Sequence, residues 1–314
     1  MPKRFRKTLL CFLLASALLA LCSCKILDGE PVILSDEDLE KLSPVSETDT
    51  PELEYVPSAS STPVCSGGVW TIPQPEIEPE RAADGTIKSF GTLRELNPDI
   101  AGWITMPGTV IDYPVVQGKD NDYYLHHTIY GEEDKNGTLF IHYLNPLSPE
   151  YESRVVILFG HHMRSGIMFE DLMQFDITSN KNALEFYKNS GVFTFNSIYS
   201  EARWVVFSVM KINVLEKHGP VFNFMVPDFT EEQNDEYQAY IDEIRARSVL
   251  DTNNVVDVTT DDRLLVMSTC SYEYDDFRTI IVARQIRPEE TTLDLREVSR
   301  AEDPVMPDVW DIEY

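Results

Sequence analysis

The sequence predicts a mainly β protein with flanking helices, an α+β fold, on three observations. Eight short runs rich in Val, Ile, Leu, Phe and Trp lie between Gly102 and Ala283, bounded by turn residues. Helical periodicity is confined to two segments, one before the first run and one between the sixth and seventh. Most runs therefore follow one another with no helix between them, which argues for a β-barrel or sandwich rather than a βαβ array.

Taken from the N-terminus, the chain opens with an address. Met1 to Lys7 is basic, and the 14 residues Leu9 to Cys22 are almost wholly apolar, short of the roughly 20 a helix needs to cross a bilayer core. A charged n-region and a short apolar stretch make residues 1–24 a signal peptide or membrane anchor. Leu21-Cys22-Ser23-Cys24 resembles a bacterial lipobox with Cys24 as the lipidated residue, and an uncleaved anchor helix running on through Lys25-Ile26-Leu27 is the rival. Either way the rest of the chain is expected outside the cytoplasm, tethered to the cell membrane with Met1 to Lys7 inside.

Residues 25–87 are rich in Pro, Ser, Thr, Asp and Glu and are expected to form a disordered acidic spacer, with Cys65 incidental within it. Folded character starts at Lys88. Phe90, Leu93 and Leu96 have helical spacing and stop at Asn97-Pro98. The eight strand-like runs follow: 102–105, 111–116, 137–142, 155–159, 192–195, 203–213, 264–269 and 279–283. Between the sixth and seventh, Thr230 and Gln233 form a capping-box pattern, and Tyr237, Tyr240, Ile241, Ile244 and Ser248 mark one helical face. Glu231, Glu232, Asp235 and Glu236 crowd its first turns, where the helix dipole favours negative charge. Sequence order sets this helix beside the last two strands. The folded domain is expected to span 88–288, and the acidic tail 289–314 to be loosely held.

With 26 Lys and Arg against 53 Asp and Glu among 314 residues, the net charge is −27. That balance argues against nucleic acid, whose binding needs clustered cations. A 43% apolar content supports a real core. Of the five cysteines, only Cys270 falls in a core-like strand, and no CxxC pair suggests a zinc ribbon.

Three segments carry candidate chemistry. Phe159-Gly160-His161-His162 follows an apolar strand and sets an imidazole at its end, where proton transfer near neutral pH is accessible. Leu264 to Cys270 is an apolar strand ending in Ser-Thr-Cys, a thiol held by the strand behind it and suited to acyl transfer through a thioester. Arg278 opens the next strand after a polar loop, so an antiparallel hairpin would return its guanidinium to Cys270, where it can donate to an oxyanion. Alone, each is matched by a plainer reading: a His pair in a polar loop, a buried Cys acting as a small hydrophobe, a surface Arg paired with Asp275 or Asp276. Their combination and order are more specific.

That order resembles the sortase family, class B in particular. Leu264-Leu-Val-Met-Ser-Thr-Cys270 with downstream Arg278 resembles its active-site signature, and Gly160-His161 with Met168-Phe169 and Leu172 its histidine segment. More class-specific are Asn97-Pro-Asp-Ile-Ala-Gly-Trp-Ile104, Tyr113-Pro-Val-Val-Gln117 and Asp120-Asn-Asp-Tyr-Tyr-Leu125. The resemblance covers about Phe90 to Pro288. It implies an eight-stranded sortase-type barrel with an extra helix before the penultimate strand. It implies a cysteine transpeptidase that cleaves a C-terminal sorting signal after Thr and passes the surface protein to a peptidoglycan or pilin amine. By position Cys270 is the nucleophile, His161 the general acid and base, and Arg278 the oxyanion or substrate stabiliser, with Ser268 and Thr269 lining the sorting-signal groove. No cofactor and no metal are implied. Two positions depart from the family: Tyr272 stands where some members are acidic, and His142 where Asp is more usual.

Other readings fit less well. A papain-like protease needs its Cys before its His, on a helix. A metal site from His126, His127, His161 and His162 lacks an i, i+4 pair. A catalytically inactive sortase-like surface scaffold or adhesin would not need the intact Cys, His and Arg.

Overall fold

All eight apolar runs become strands, and the eight hydrogen-bond in a ring. The structure is a computed structural model that describes residues 55, 62–74, 78–163, 166–271 and 277–308. In chain order, β1 (Val64–Ser66) and β2 (Val69–Thr71) form a hairpin, and α1 (Gly91–Leu96) follows a single 3-10 turn. Asn97 ends α1 in extended backbone, as a residue before proline must. Next come β3 (Ile100–Thr105), β4 (Asp112–Val116), β5 (Leu139–Ile141), β6 (Val155–Phe159), the short pair β7 (His162–Met163) and β8 (Ile167–Met168), and α2 (Ala183–Ser190). Then β9 (Val192–Ser197), β10 (Arg203–Asn213), α3 (Asn234–Arg247), β11 (Leu250–Asp251), β12 (Leu264–Ser271), β13 (Phe277–Gln285), β14 (Thr292–Asp294) and β15 (Ser299–Arg300) complete the order.

The closed barrel runs β10-β13-β12-β6-β5-β4-β3-β9 and back to β10. Its pairs are antiparallel except β4 with β5 and β6 with β12, which are parallel. Strands β6 and β10 are buried along their whole length, so they read as unbroken apolar runs rather than alternating ones. Ile104, Val115, Ile157, Val205, Val266 and Ile281 are fully enclosed in this core.

Helix α3 begins where the capping box expects. The Thr230 amide donates to Gln233 Oε1 at 3.1 Å, and both arms of the box are present. Tyr237, Tyr240, Ile241 and Ile244 are its buried face. The expected neighbourhood is only partly met. The helix packs on β10, where Ser208 Oγ donates to the Ile244 carbonyl, and it reaches the start of β12 through Tyr237 Oη on the Asp262 carbonyl at 2.8 Å.

The two termini depart from expectation. Part of the stretch read as spacer is built into the fold: β2 pairs with β1 on one side and β14 on the other. Trp70 is 1% exposed, and its indole donates to the Lys188 carbonyl at 2.9 Å. Tyr55 lies between 4.5 and 5.8 Å from the rings of Phe90 and Trp103, stacked on both. Cys65 Sγ lies 3.5 Å from the Lys188 carbonyl. The tail is likewise held, by β14 and by β15 on β11, with Leu295 fully buried. Buried aromatic area is the physical reason, since one tryptophan outweighs the polar residues around it. The address in residues 1–24, Cys24 included, lies outside the described residues. No helix among the described residues is long and apolar enough to cross a membrane.

Replacing Trp70 by Ala should lower unfolding stability by about 3–5 kcal/mol, read as a drop in urea midpoint at constant slope. An unchanged midpoint would return this hairpin to the spacer.

Candidate active site

Three adjacent strands end at one rim. Strand β12 lies between β6 and β13, and its antiparallel register with β13 sets Cys270 directly opposite Arg278. Directly opposed positions share a face and lie roughly 4.5–5.5 Å apart. On the other side β12 runs parallel to β6, with Phe159 level with Ser268. Carried on by two residues, that register would bring His161 level with Cys270. The Gly160 amide still donates to the Ser268 carbonyl at 3.3 Å, so the strands remain together over that step. The backbone thus sets Cys270 opposite Arg278 of β13, with His161 two residues beyond the paired stretch of β6 on its other side.

Two glycines make this approach possible. A side chain at Gly160 would come within 2.3 Å of Leu139 and 2.6 Å of Phe169, so only hydrogen fits in the residue that delivers His161. Gly137 has φ +59 and sits against the backbone carbonyls of Tyr124 and Leu125, where a Cβ would lie 2.4 and 2.6 Å away. This packing seats the Leu125 carbonyl, which lies 2.9 Å from His161 Nε2. A carbonyl only accepts, so Nε2 carries the proton and Nδ1 is the nitrogen left to exchange one. The His161 carbonyl in turn accepts from the Phe169 amide at 3.0 Å, folding the following loop back onto its own start.

Electrostatics keep this imidazole neutral. Burial pushes the His161 pKa down; the Leu125 carbonyl opposes that shift, and the nearby charges of His126 and Arg278 reinforce it. The Arg278 charge therefore acts on the imidazole, in the direction that keeps it neutral.

One rung deeper, Lys211, Thr279 and Thr269 lie in a row across β10, β13 and β12. Lys211 Nζ, fully buried, is 2.8 Å from Asp176 Oδ2 and donates to Thr279 Oγ1 at 2.9 Å. Desolvation works to raise the Asp176 pKa, but the Lys211 charge and hydrogen bonds from Lys211, Thr178 and Ser179 hold it below the usual carboxylate range. Asp176 closes the segment that begins at His161. This ion pair therefore ties the histidine segment to the strands that carry Arg278 and Cys270. Sequence reading missed it, although a lysine inside the apolar run Val205–Ile212 was a usable signal.

The remaining sequence-predicted residues divide. Ser268 and Thr269 are each 1% exposed, and their hydroxyls find no hydrogen-bond partner among the described residues. Neighbours along a strand point to opposite faces, so Ser268 shares the Cys270 face and Thr269 the Lys211 face. His142 is buried, its pKa pushed down by burial, with Nδ1 accepting from the Leu144 amide at 3.1 Å. Among the described residues no three His, Cys, Asp or Glu side chains cluster to hold a metal.

No protein-family model matches the chain. It is 32% identical over 200 residues to sortase B of Staphylococcus aureus, a match that spans 63% of this chain and 75% of that one. A Bacillus anthracis crystal structure described as similar to sortase B aligns with a TM-score of 0.55 and 31% identity, over 68% of this chain and 88% of that one. The S. aureus sortase B–substrate complex gives the same TM-score of 0.55 at 31% identity, over 64% and 86%.

In an NMR titration of the intact protein, His161 should titrate below the ordinary histidine value of about 6.5, and its pKa should rise in Arg278→Gln. An unmoved value would place the guanidinium out of range of the imidazole.

Proposed function

The chain belongs to the sortase B family of cysteine transpeptidases, and on that premise we propose that it cleaves a C-terminal sorting signal and joins the released surface protein to an amine. The register that brackets Cys270 between His161 and Arg278 is the observation that carries this reading. The Cys270 thiolate attacks the carbonyl carbon of the signal's Thr, forming a C–S bond and pushing electron density onto the carbonyl oxygen. Arg278 donates to that oxyanion, which carries charge only in the tetrahedral intermediate. His161 gives its proton to the departing amide nitrogen; the C–N bond breaks and a thioester remains. An acceptor amine then attacks the thioester, His161 takes its proton, and the thiolate is restored. The acceptor is a peptidoglycan or pilin amine, and the domain works outside the cell, held to the membrane by its N-terminus.

The neutral resting state of His161 bears on the reaction. Because its pKa is lowered, the resting imidazole is neutral near neutral pH, and the imidazolium formed in the reaction is a correspondingly strong acid toward the leaving amine. The S. aureus sortase B structure with its substrate supports the choice of a sorting signal as the first substrate class to test.

Incubated with an Asn-Pro-x-Thr signal peptide and a glycine-terminated acceptor, the protein should release the C-terminal fragment and form the new amide. Cys270→Ala should lower turnover at least about a thousandfold, and Arg278→Ala about a hundredfold or more, chiefly in kcat. Equal turnover in Cys270→Ala would remove the nucleophile, and no turnover by the unmodified protein would leave a surface scaffold or adhesin as the reading.

A further inference from the structure

A cleft of about 430 Å³ opens beside the 3-10 turn Tyr123–Leu125, the turn whose last carbonyl holds His161. Its size falls in the roughly 300–1,000 Å³ range of small-molecule sites, room for a compact ligand rather than a folded partner. Two tyrosines on its walls are unusually exposed, Tyr123 at 43% and Tyr130 at 36%. Tyr123 is held flat on His127, with ring centroids 4.0 Å apart, so one face is already committed and its orientation is fixed. Leu96, 41% exposed, and Pro98 supply an apolar flank.

The polar groups of the cleft are pre-set. Asp99 Oδ2 accepts from Tyr124 Oη at 2.8 Å, and Asn97 Nδ2 donates to that same hydroxyl at 3.0 Å. Asp120 Oδ1 accepts from the amides of Asp122 and Tyr123, both at 2.9 Å. Each carboxylate is thus anchored by one oxygen, while the other has no hydrogen-bond partner among the described residues. Lys119 adds an ammonium to the same lining. An anion would meet two carboxylates here, a cation would meet the ammonium, and an apolar ligand would strip water from all three without replacing it. A neutral polyol suits every group. Its hydroxyls donate to the carboxylates and accept from Lys119, and the C–H face of a pyranose packs on the electron-rich face of a tyrosine.

We propose that this cleft is a saccharide site that takes one or two neutral hexose or N-acetylhexosamine units, with Tyr130 and Tyr123 as its platforms and Asp99, Asp120 and Lys119 as its hydroxyl partners. The inference does not rest on the transpeptidase reading, since none of these side chains takes part in it.

The test is saturation-transfer NMR on the intact chain with three probes: N,N′-diacetylchitobiose, cellobiose and putrescine. At least one disaccharide should bind saturably and putrescine should not. Tyr130→Ala and Asp99→Asn should each weaken that binding about tenfold or more, with thermal unfolding and Cys270-dependent peptide cleavage unchanged. Absence of saturable disaccharide binding, binding that survives Tyr130→Ala, or preference for putrescine would overturn the proposal.

Discussion

The site depends on one constraint, the register of β12 between a parallel and an antiparallel neighbour. The antiparallel pair with β13 returns Arg278 to the level of Cys270 after a short polar loop, as a hairpin does. The parallel pair with β6 delivers His161 from the other side after a long connection through the rest of the barrel. A one-residue slip in either pair would move a side chain to the opposite face. Because β6 and β12 are buried along the strand, with Val155, Ile157 and Leu158 against Leu264, Val266 and Met267, a slip would misplace the whole core row. The packing that stabilises the barrel therefore also fixes the chemistry at its rim.

Around this register the protein places backbone groups and a buried ion pair. The Leu125 carbonyl selects the His161 tautomer, and Gly137 and Gly160 are the close contacts that let it do so. The Lys211–Asp176 pair, both side chains fully buried, is costly to desolvate, so what it contributes is position more than stability. It anchors the end of the histidine segment on the rung next to Arg278, and neither partner has water to turn to if the other is lost.

Much of this was legible in the residues. The eight barrel strands were visible because buried strands give apolar runs of the right length, and α3 because its capping box and apolar face agree. Cys270, His161 and Arg278 stood out because strand ends carry chemistry and because their order resembles a known family. What escaped detection was non-local or belonged to the backbone. Strands β1, β2 and β14 are three residues each, and β2 meets β14 from more than two hundred residues away, so no local pattern announces them. The Leu125 carbonyl has no residue-type signature at all.

The central claim, that Cys270 carries the acyl group, is tested most directly by trapping. The protein is mixed with a sorting-signal peptide without acceptor, quenched in acid, and mapped by mass spectrometry. An adduct of the peptide's N-terminal portion is expected on the fragment containing Cys270, cleared by hydroxylamine as a thioester must be. An adduct on any other residue, or release of the cleaved peptide with no covalent species at early times, would contradict it.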